Sequence, residues 1–391
     1  SQPPPQDSIV LNQQLQLGDV FAEQTLNVVD AQDQVTATTS AQGNSAAGAV
    51  ESGGALTVQS EQDVRADAEG RTDVVLGGDT YGQVNVTTRA GGNNLAVSAY
   101  GSELTANAVQ SNSGGLVRAT SEVGDSSARL HAGGQVAASA VSNSVALYGE
   151  GSFVQGEVDQ ANAATVRAFG RIESQYIPAE AAATAEAVGN AMAATSIQTS
   201  GQNLAITQNS TGDFLEADAS ANAGNGWNLA ARARAAANQT VLYNAVGSVV
   251  AASEQNNTSF VRAAALTTAY DYGRAEAQAR GVANELSVGN NDIYVEIDNS
   301  QFNSGGVDVS AAFSGTNGYD VYVGADAVGN AVTGYACADC RGHLQATNDQ
   351  TNNGDVSARA TATVAGSNRA VIAGANAVGN SATFYVSRPS H

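Results

Sequence analysis

The sequence has 391 residues, of which 42% are hydrophobic but only 5% aromatic. It carries 37 acidic against 16 basic residues, a net charge of −21, which excludes the clustered cations needed to bind nucleic acid or anionic lipid. Lysine is absent. A phosphate-binding loop with a lysine and a lysine Schiff base are therefore excluded as well.

The chain begins with Ser1-Gln2-Pro3-Pro4-Pro5-Gln6 and lacks an initiator methionine. We interpret this start as a mature N-terminus left after removal of a signal peptide, which predicts an extracellular protein. The three prolines predict an extended arm over residues 1–8. The sequence has no run of 18 apolar residues, so it predicts no transmembrane helix.

Residues 9–380 repeat with a period of about 48 residues. The plainest copy, Ala-x-Ala-Val-Gly-Asn, occurs at residues 185–190, 325–330 and 375–380. Its final asparagine and a second marker, a glutamine, recur together. The asparagines are Asn44, Asn94, Asn143, Asn190, Asn238, Asn284, Asn330 and Asn380. The glutamines are Gln62, Gln110, Gln160, Gln208, Gln255, Gln301 and Gln350.

Both markers are followed by residues typical of tight corners. Asn and Gly suit a left-handed backbone, so we expect a corner after each marker. A third corner is predicted at runs such as Gly224-Asn225-Gly226 and Gly315-Thr316-Asn317-Gly318. Between corners lie three or four short strand-like segments per unit. Stacked copies would align the marker amides in ladders, each donating to the next.

This pattern predicts an all-β solenoid of about eight 48-residue units. Each unit would form two coils of about 24 residues, giving a rod roughly 75 Å long. The alternative is an eight-bladed β-propeller, whose repeat length overlaps this one. The solenoid is favoured because propeller blades pack through large apolar side chains, whereas this interior would be Ala, Val, Ser and Thr.

Residues 381–391 are predicted to form an edge strand and tail that begin an unfinished copy. The segment contains Phe384, Tyr385 and Val386 and no charge before its end. An edge strand without a neighbour offers unpaired N–H and C=O groups to another chain. We therefore predict that Phe384, Tyr385 and Val386 form an assembly edge.

Cys337 and Cys340 are the only cysteines. In an exported protein a short-loop disulfide is the expected state, with a redox dithiol and a metal pair as alternatives. Acidic corners such as Asn290-Asn291-Asp292 have oxygen ligands for Ca²⁺, but a solvated acidic corner is the commoner explanation. We predict no metal site, no cofactor and no catalytic residues.

Two kinds of surface site are considered. Solenoids include polysaccharide-degrading enzymes, and Asp271-Tyr272-Gly273-Arg274 is the best local cluster for that alternative. Aromatic rings stack on sugars, and a dense set of tyrosines is a candidate for that role, although packing at the solenoid ends explains them as well. These are Tyr294, Tyr319, Tyr322 and Tyr335.

The repeated Ala-x-Ala-Val-Gly-Asn and Gln-x-Asn-x-x-Gly corners, with the lysine-free acidic composition, resemble the holdfast anchor protein HfaD family of stalked alphaproteobacteria. Residues 201–208 (GQNLAITQ) also resemble a curlin repeat. The resemblance implies a cell-surface, outer-membrane-associated protein that anchors an adhesive polysaccharide. Its implied partners are a small fibre-forming protein and an outer-membrane lipoprotein. A self-assembling extracellular fibre subunit is an alternative.

Overall fold

The computed structural model describes residues 6–51, 53–337 and 342–387. Within these ranges the regular structure consists of 22 β-strands, and every pairing between them is parallel. The strands stack into three faces of a β-solenoid, so the predicted all-β solenoid is confirmed. A propeller would instead require separate four-stranded blades.

Each 48-residue unit forms one coil, not two. Ser8 pairs with Leu56, and Gln62 pairs with Gln110, so neighbours in the stack are a whole unit apart in sequence. The prediction of two coils per unit was therefore wrong. The Asn and Gln markers lie opposite each other across the interior of one coil instead of stacking on each other. Eight coils at about 4.8 Å give a stack about 38 Å high, half the predicted length.

The first face is an eight-stranded sheet with one strand from each coil. Polar and apolar residues alternate along these strands, which places one set inside and the other in solvent. The strands, in stacking order, are β1 (Ser8–Gln16), β4 (Ala55–Val64), β8 (Glu103–Asn112), β12 (Phe153–Asn162), β14 (Gly201–Ser210), β16 (Ser248–Asn257), β18 (Tyr294–Asn303) and β20 (His343–Asn352).

The second and third faces belong to one larger sheet. In the first three coils the two faces are formed by separate strands. The second face has β2 (Val20–Val28), β5 (Ala68–Leu76) and β9 (Leu116–Gly124), and the third face has β3 (Val35–Glu51), β7 (Val84–Tyr100) and β11 (Gly134–Glu150). The short strands β6 (Asp79–Thr80) and β10 (Arg129–Leu130) lie between the two faces. In the next four coils one continuous strand covers both faces: β13 (Thr165–Thr199), β15 (Phe214–Val246), β17 (Phe260–Asn290) and β19 (Val307–Ala336). The last coil has β21 (Val356–Val364) and β22 (Ala370–Val386).

Two apolar cores run along the stack. One lies between the second face and the first half of the third, where Ala, Val and a few Leu residues are buried in every inner coil. The other lies between the first face and the second half of the third. Because both cores are thin, small β-branched and methyl side chains fill them, which accounts for the low aromatic content.

The third face bends where the Val-Gly-Asn motif occurs. The asparagines there do not adopt the predicted left-handed conformation, because the only non-glycine residues with positive φ in the described ranges are Gln198 and Cys337. The residue before each asparagine is small for another reason. A Cβ added to Gly92 would lie 2.4 Å from the carbonyl oxygen of Ser142 in the next coil. The motif thus permits close stacking of bends.

The end of the chain belongs to the last coil. The predicted boundary between residues 380 and 381 falls inside β22, which pairs with β19 from Ala370 to Val386 without a register shift. Residues 381–386 therefore complete the eighth coil and do not begin a ninth. The first residues of the predicted Pro-rich arm and the tail from residue 388 lie outside the described residues.

Candidate functional site: amide ladders, open ends and an aromatic corner

A ladder of asparagine side chains runs the length of the solenoid at the third-face bend. Each Nδ2 donates to the Oδ1 of the asparagine in the following coil at 2.8 to 2.9 Å. The members are Asn44, Asn93, Asn143, Asn190, Asn238, Asn284, Asn330 and Asn380. Asn93 takes the place predicted for Asn94. The prediction failed there because two asparagines are adjacent, and the inward side of the strand selects the first.

A ladder of glutamines on the first face lies directly opposite. Each Nε2 donates to the Oε1 of the glutamine in the preceding coil at 2.7 to 2.9 Å. It includes all seven predicted glutamines and begins one coil earlier, at Gln14. The asparagine ladder donates towards the C-terminal end and the glutamine ladder towards the N-terminal end. The two chains of hydrogen bonds therefore run in opposite directions.

The two ladders also join the faces across the interior. Asn190 Nδ2 donates to the carbonyl oxygen of Asn209 on the first face at 2.9 Å. In return, Gln208 Nε2 donates to the carbonyl oxygen of Gln239 on the third face at 3.0 Å. The same exchange recurs along the stack. These polar bonds form a wall between the two apolar cores and satisfy the buried amides of the two ladders.

Sequence reasoning missed two further polar rows. Asn257 donates to Asn303 at 2.8 Å, and Asn303 donates to Asn352 at 2.7 Å. Their signal was present, because each asparagine stands two residues after a ladder glutamine and so faces the same side of the strand. A second row links the hydroxyls of Thr39, Thr72, Thr88 and Ser121, each 2.6 to 2.7 Å from the next.

Among the described residues, the C-terminal end of the stack is open. The strands β20, β21 and β22 each pair on one side only, with β18 or β19. Phe384 faces inward over Gly334 and is 38% exposed, while Tyr385 faces outward and stacks on Tyr335 at 5.8 Å. Val386 packs partly against the core. The three predicted edge residues thus lie on the last strand of the stack.

The structure does not bring the four candidate tyrosines together. Tyr294 stacks on His343 on the first face, with ring centroids 5.5 Å apart. Tyr322 lies on the third face under the guanidinium of Arg274, and Tyr335 is near the C-terminal end. Only Tyr319 lies in a groove, at the corner between the second and third faces.

That corner groove has a volume of about 570 Å³ and is open to solvent. It crosses coils 4 to 8, and the predicted third corners line it. Its exposed rings are Tyr176, Trp227 and Tyr319. Towards the N-terminal end the same corner continues with His131, which stacks on Tyr81 at 4.6 Å.

The cluster considered for catalysis is dispersed. Asp271 lies in the groove and accepts a hydrogen bond from Asn317 at 3.3 Å, whereas Tyr272 is buried with its hydroxyl 3.1 Å from Asn368. Arg274 pairs with Glu276 on the third face. The side chains therefore have separate partners. The described residues also contain no group of three side chains able to hold a metal ion.

Ion pairs on the third face couple neighbouring coils. Glu285 lies 2.7 Å from Arg280 and 3.1 Å from Arg234, and Arg234 also contacts Glu186. Burial alone raises the pKa of Glu285, but hydrogen bonds and charge from Arg280 and Arg234 outweigh it and leave the pKa below its usual value. The carboxylate is thus stabilised in its charged form.

The predicted disulfide cannot be placed, because Cys340 lies outside the described residues. Cys337 is buried at the end of β19, and its N–H donates to the carbonyl oxygen of Asn290 at 2.8 Å. The pairing of the two cysteines stays a prediction. In the described ranges, no helix is long and apolar enough to cross a membrane.

The fold and these surfaces define a repetitive parallel β-solenoid. Amide ladders recur inside its successive coils, and strands without a neighbour lie at the end of the described stack. The sequence profile of the family described as Holdfast attachment protein D matches residues 29–306. Because the match covers more than half of the chain, this protein belongs to the HfaD family, as the corner motifs predicted. No curated protein and no solved structure matches the chain.

Proposed function

We propose that this protein anchors an adhesive polysaccharide at the outer membrane by stacking its last coil on a repetitive β-structured partner. Family membership supplies the attachment role and a cell-surface location. A structural role of this kind requires binding surfaces and no turnover. The partner and the manner of docking are what the proposal adds.

The open C-terminal end is the observation that carries the proposal. Strands β20, β21 and β22 each have a neighbour on one side only, so half of their backbone N–H and C=O groups face outward. The inward-facing Val371 and Phe384 are also 47% and 38% exposed there, since no coil of the described residues covers them. Another parallel coil placed on this end would pair the backbone and bury both side chains.

The amide ladders restrict which partner coils can stack on that end. In the described part of the chain, Gln350 Oε1 accepts no side-chain bond from a following glutamine, and Asn380 Nδ2 reaches only the carbonyl oxygen of Gln350, at 3.3 Å. An incoming coil therefore has to present an amide donor above Gln350 and an acceptor above Asn380. A partner with its own stacked Asn and Gln residues meets both requirements.

The small fibre-forming protein implied by the family resemblance is the occupant to which we commit. An outer-membrane lipoprotein would hold the assembly to the cell. The first coil of a second copy of this chain offers similar ladders, so stacking between copies is a distinct outcome of the test below.

A proline at position 384 tests whether the outer edge of β22 pairs with a partner strand. Ser387 N–H donates to Ala336 at 3.2 Å, and successive N–H groups of a strand point to opposite neighbours, so the N–H of Phe384 points outward. Phe384→Pro removes an outward donor and leaves the inner ladder intact. Phe384→Ala is the matched control, because it removes the ring but keeps the N–H.

We expect cells producing Phe384→Pro to secrete folded protein yet shed their adhesive, while Phe384→Ala cells retain most of it. Retention is measured by counting attached cells with labelled polysaccharide, and folding by circular dichroism of the purified chain. Normal attachment by Phe384→Pro would show that the C-terminal edge is not the interface. If Phe384→Pro no longer self-associates in sedimentation but still captures the partner, the C-terminal edge binds a second copy of this chain instead.

A further inference from the structure

Exposed and partly exposed rings follow the corner between the second and third faces, one each from coils 2, 3, 4, 5 and 7. We call this row the aromatic corner, and it consists of Tyr81, His131, Tyr176, Trp227 and Tyr319. Trp227 and Tyr319 are 55% and 53% exposed, and their ring centroids are 6.0 Å apart. From coil 2 to coil 7 the row is about 24 Å long. Aromatic residues make up only 5% of this sequence, so the alignment of several on one corner calls for a function.

A glycine in the next coil gives the ring of Trp227 room to lie against the backbone. Gly226, Tyr272 and Gly318 form one row of the stack. In the neighbouring row, Gly273 lies level with Trp227 and Tyr319. A Cβ added to Gly273 would be 2.9 Å from the indole of Trp227, and one added to Gly318 would be 2.2 Å from the ring of Tyr272. The indole of Trp227 therefore lies against a bare stretch of backbone in the next coil, which reduces the entropy lost when it binds a ligand.

Polar groups line the floor and edge of the groove. Asn225, Asp271 and Asn317 form a row beside the rings, and Ser367 lies at the C-terminal end. These amide, carboxylate and hydroxyl groups donate to and accept from hydroxyls. Flat aromatic surfaces bordered by such groups are suited to sugars, whose faces carry C–H groups and whose edges carry O–H groups.

The charges at the corner favour an uncharged polymer. The groove lining contains one carboxylate, Asp271, and no arginine or histidine. Nearby arginines are already paired: Arg129 binds Asp79 at 2.6 Å, and Arg369 donates to Asp320 at 2.8 Å. The hydrogen bonds from Arg129 and His131 hold the pKa of Asp79 well below its usual range. A uronic-acid or sulfated chain would thus meet negative charge without a free cation.

We propose that the aromatic corner binds a neutral polysaccharide chain lying along the solenoid axis, with sugar rings stacked on Trp227 and Tyr319. The open shape and the continuation of rings towards Tyr81 fit a polymer better than a small ligand. This inference deepens the proposed anchoring function, on which it rests for the biological identity of the polymer, but its physical basis is independent of the C-terminal edge.

The protein contains its own reporter, because Trp227 is its only tryptophan. The full purified chain is titrated with hexasaccharides of glucose, mannose and N-acetylglucosamine, with galactan, with polygalacturonate, and with the adhesive polysaccharide shed by the producing cells. We expect a saturable change in tryptophan emission with at least one neutral polymer and none with polygalacturonate. Affinity electrophoresis measures the same binding independently of fluorescence.

Variants then locate the site. Trp227→Ala is expected to weaken binding by about tenfold or more, whereas Trp227→Phe keeps a stacking surface and most of the affinity. Tyr335→Ala removes an aromatic pair elsewhere on the molecule and is the matched control. Thermal melting of each variant shows whether the solenoid remains folded.

Three results would overturn the inference: no binding to any neutral polymer, equal binding of polygalacturonate, or unchanged affinity in folded Trp227→Ala. The two proposals fail separately. Phe384→Pro should bind polysaccharide normally, and Trp227→Ala should still dock on the partner through its C-terminal coil. If the protein docks on its partner but binds no neutral polymer, the polysaccharide-binding role of the groove is refuted and the proposed anchoring role is not.

Discussion

Replacing Gln208 by methionine tests whether the amide ladders hold the solenoid together. Gln208 is fully buried in the fifth coil. Its Nε2 donates to Gln160 Oε1 at 2.8 Å and to the carbonyl oxygen of Gln239 at 3.0 Å. Its Oε1 accepts from Gln255 Nε2 at 2.8 Å and from Thr240 Oγ1 at 3.1 Å. Methionine has a similar shape and fills the site, but it can make none of these bonds in comparable strength.

The expected loss follows from those four contacts. Each hydrogen bond contributes about 1 kcal/mol net, and a buried partner left unpaired costs more, so Gln208→Met should reduce the free energy of unfolding by about 4 kcal/mol. The control is Gln14→Met in the first coil. Gln14 is only half-buried and makes two side-chain bonds, to Gln62 and to Ser45. Water can replace both, so its loss should be about 1 kcal/mol.

Denaturant unfolding of the two purified variants measures the difference. Because a solenoid's stability is mainly between neighbouring coils, unfolding can occur in stages, and hydrogen exchange should resolve which coils are affected. We expect faster exchange in coils 4 to 6 of Gln208→Met. Equal losses in the two variants, or a loss below about 1 kcal/mol for Gln208→Met, would refute the argument that buried ladder bonds dominate.

Three further outcomes are expected. The pKa of Glu285 in the folded state lies below its ordinary value of 4.5. The charged carboxylate therefore stabilises the fold above pH 4.5, and this contribution is lost as the pH falls through the lower, folded-state pKa. Without that carboxylate, Glu285→Gln should show a smaller fall in melting temperature on acidification. Asn93→Ala should destabilise the chain by about 2 kcal/mol, whereas Asn94→Ala, outside the ladder, should change it by less than about 0.5 kcal/mol when both are melted in parallel. The secreted chain should show no free thiol before reduction, and Cys337→Ser should have a modest, local effect, since the loop to Cys340 is too short to restrain much chain entropy; a titratable thiol would contradict the disulfide.

The period of the sequence, together with its small side chains, favoured a solenoid with amide ladders. Two markers recurring at the same interval require equivalent positions in successive units, and buried Asn and Gln residues need regular partners. The small side chains around them also excluded a thick core. These features are local or periodic, so one sequence reveals them.

The number of coils per unit could not be obtained in the same way. The spacing shows that Gln62 and Gln110 occupy equivalent positions in successive units. It does not show whether another coil of the chain lies between them in the stack, because that depends on how the chain bends. Here Gln62 faces Asn94 across the interior, where its Nε2 donates to the backbone oxygen at 2.9 Å. A contact between opposite faces has no signature in spacing alone.

The aromatic corner was missed for a related reason. Tyr319 was selected because tyrosines are dense near it in sequence, whereas its structural neighbour Trp227 is two units away. The alternation of Gly226, Tyr272 and Gly318 is visible only once the coils are aligned at 46-residue intervals. Alignment of the units by their ladder residues would have exposed the row.

The opposite directions of the two ladders have a consequence for how such proteins change in size. Each ladder adds a dipole with every coil, but the glutamine dipoles offset those of the asparagines. Gaining or losing a coil therefore leaves the net dipole along the axis nearly unchanged. The units also differ in length: Asn238 and Asn284 are 46 residues apart, whereas Asn93 and Asn143 are 50 residues apart. The extra residues lie in the corners. Gene duplication can thus lengthen this architecture one coil at a time without building up a ladder dipole along the axis, and relatives with other numbers of coils should fold by the same rules.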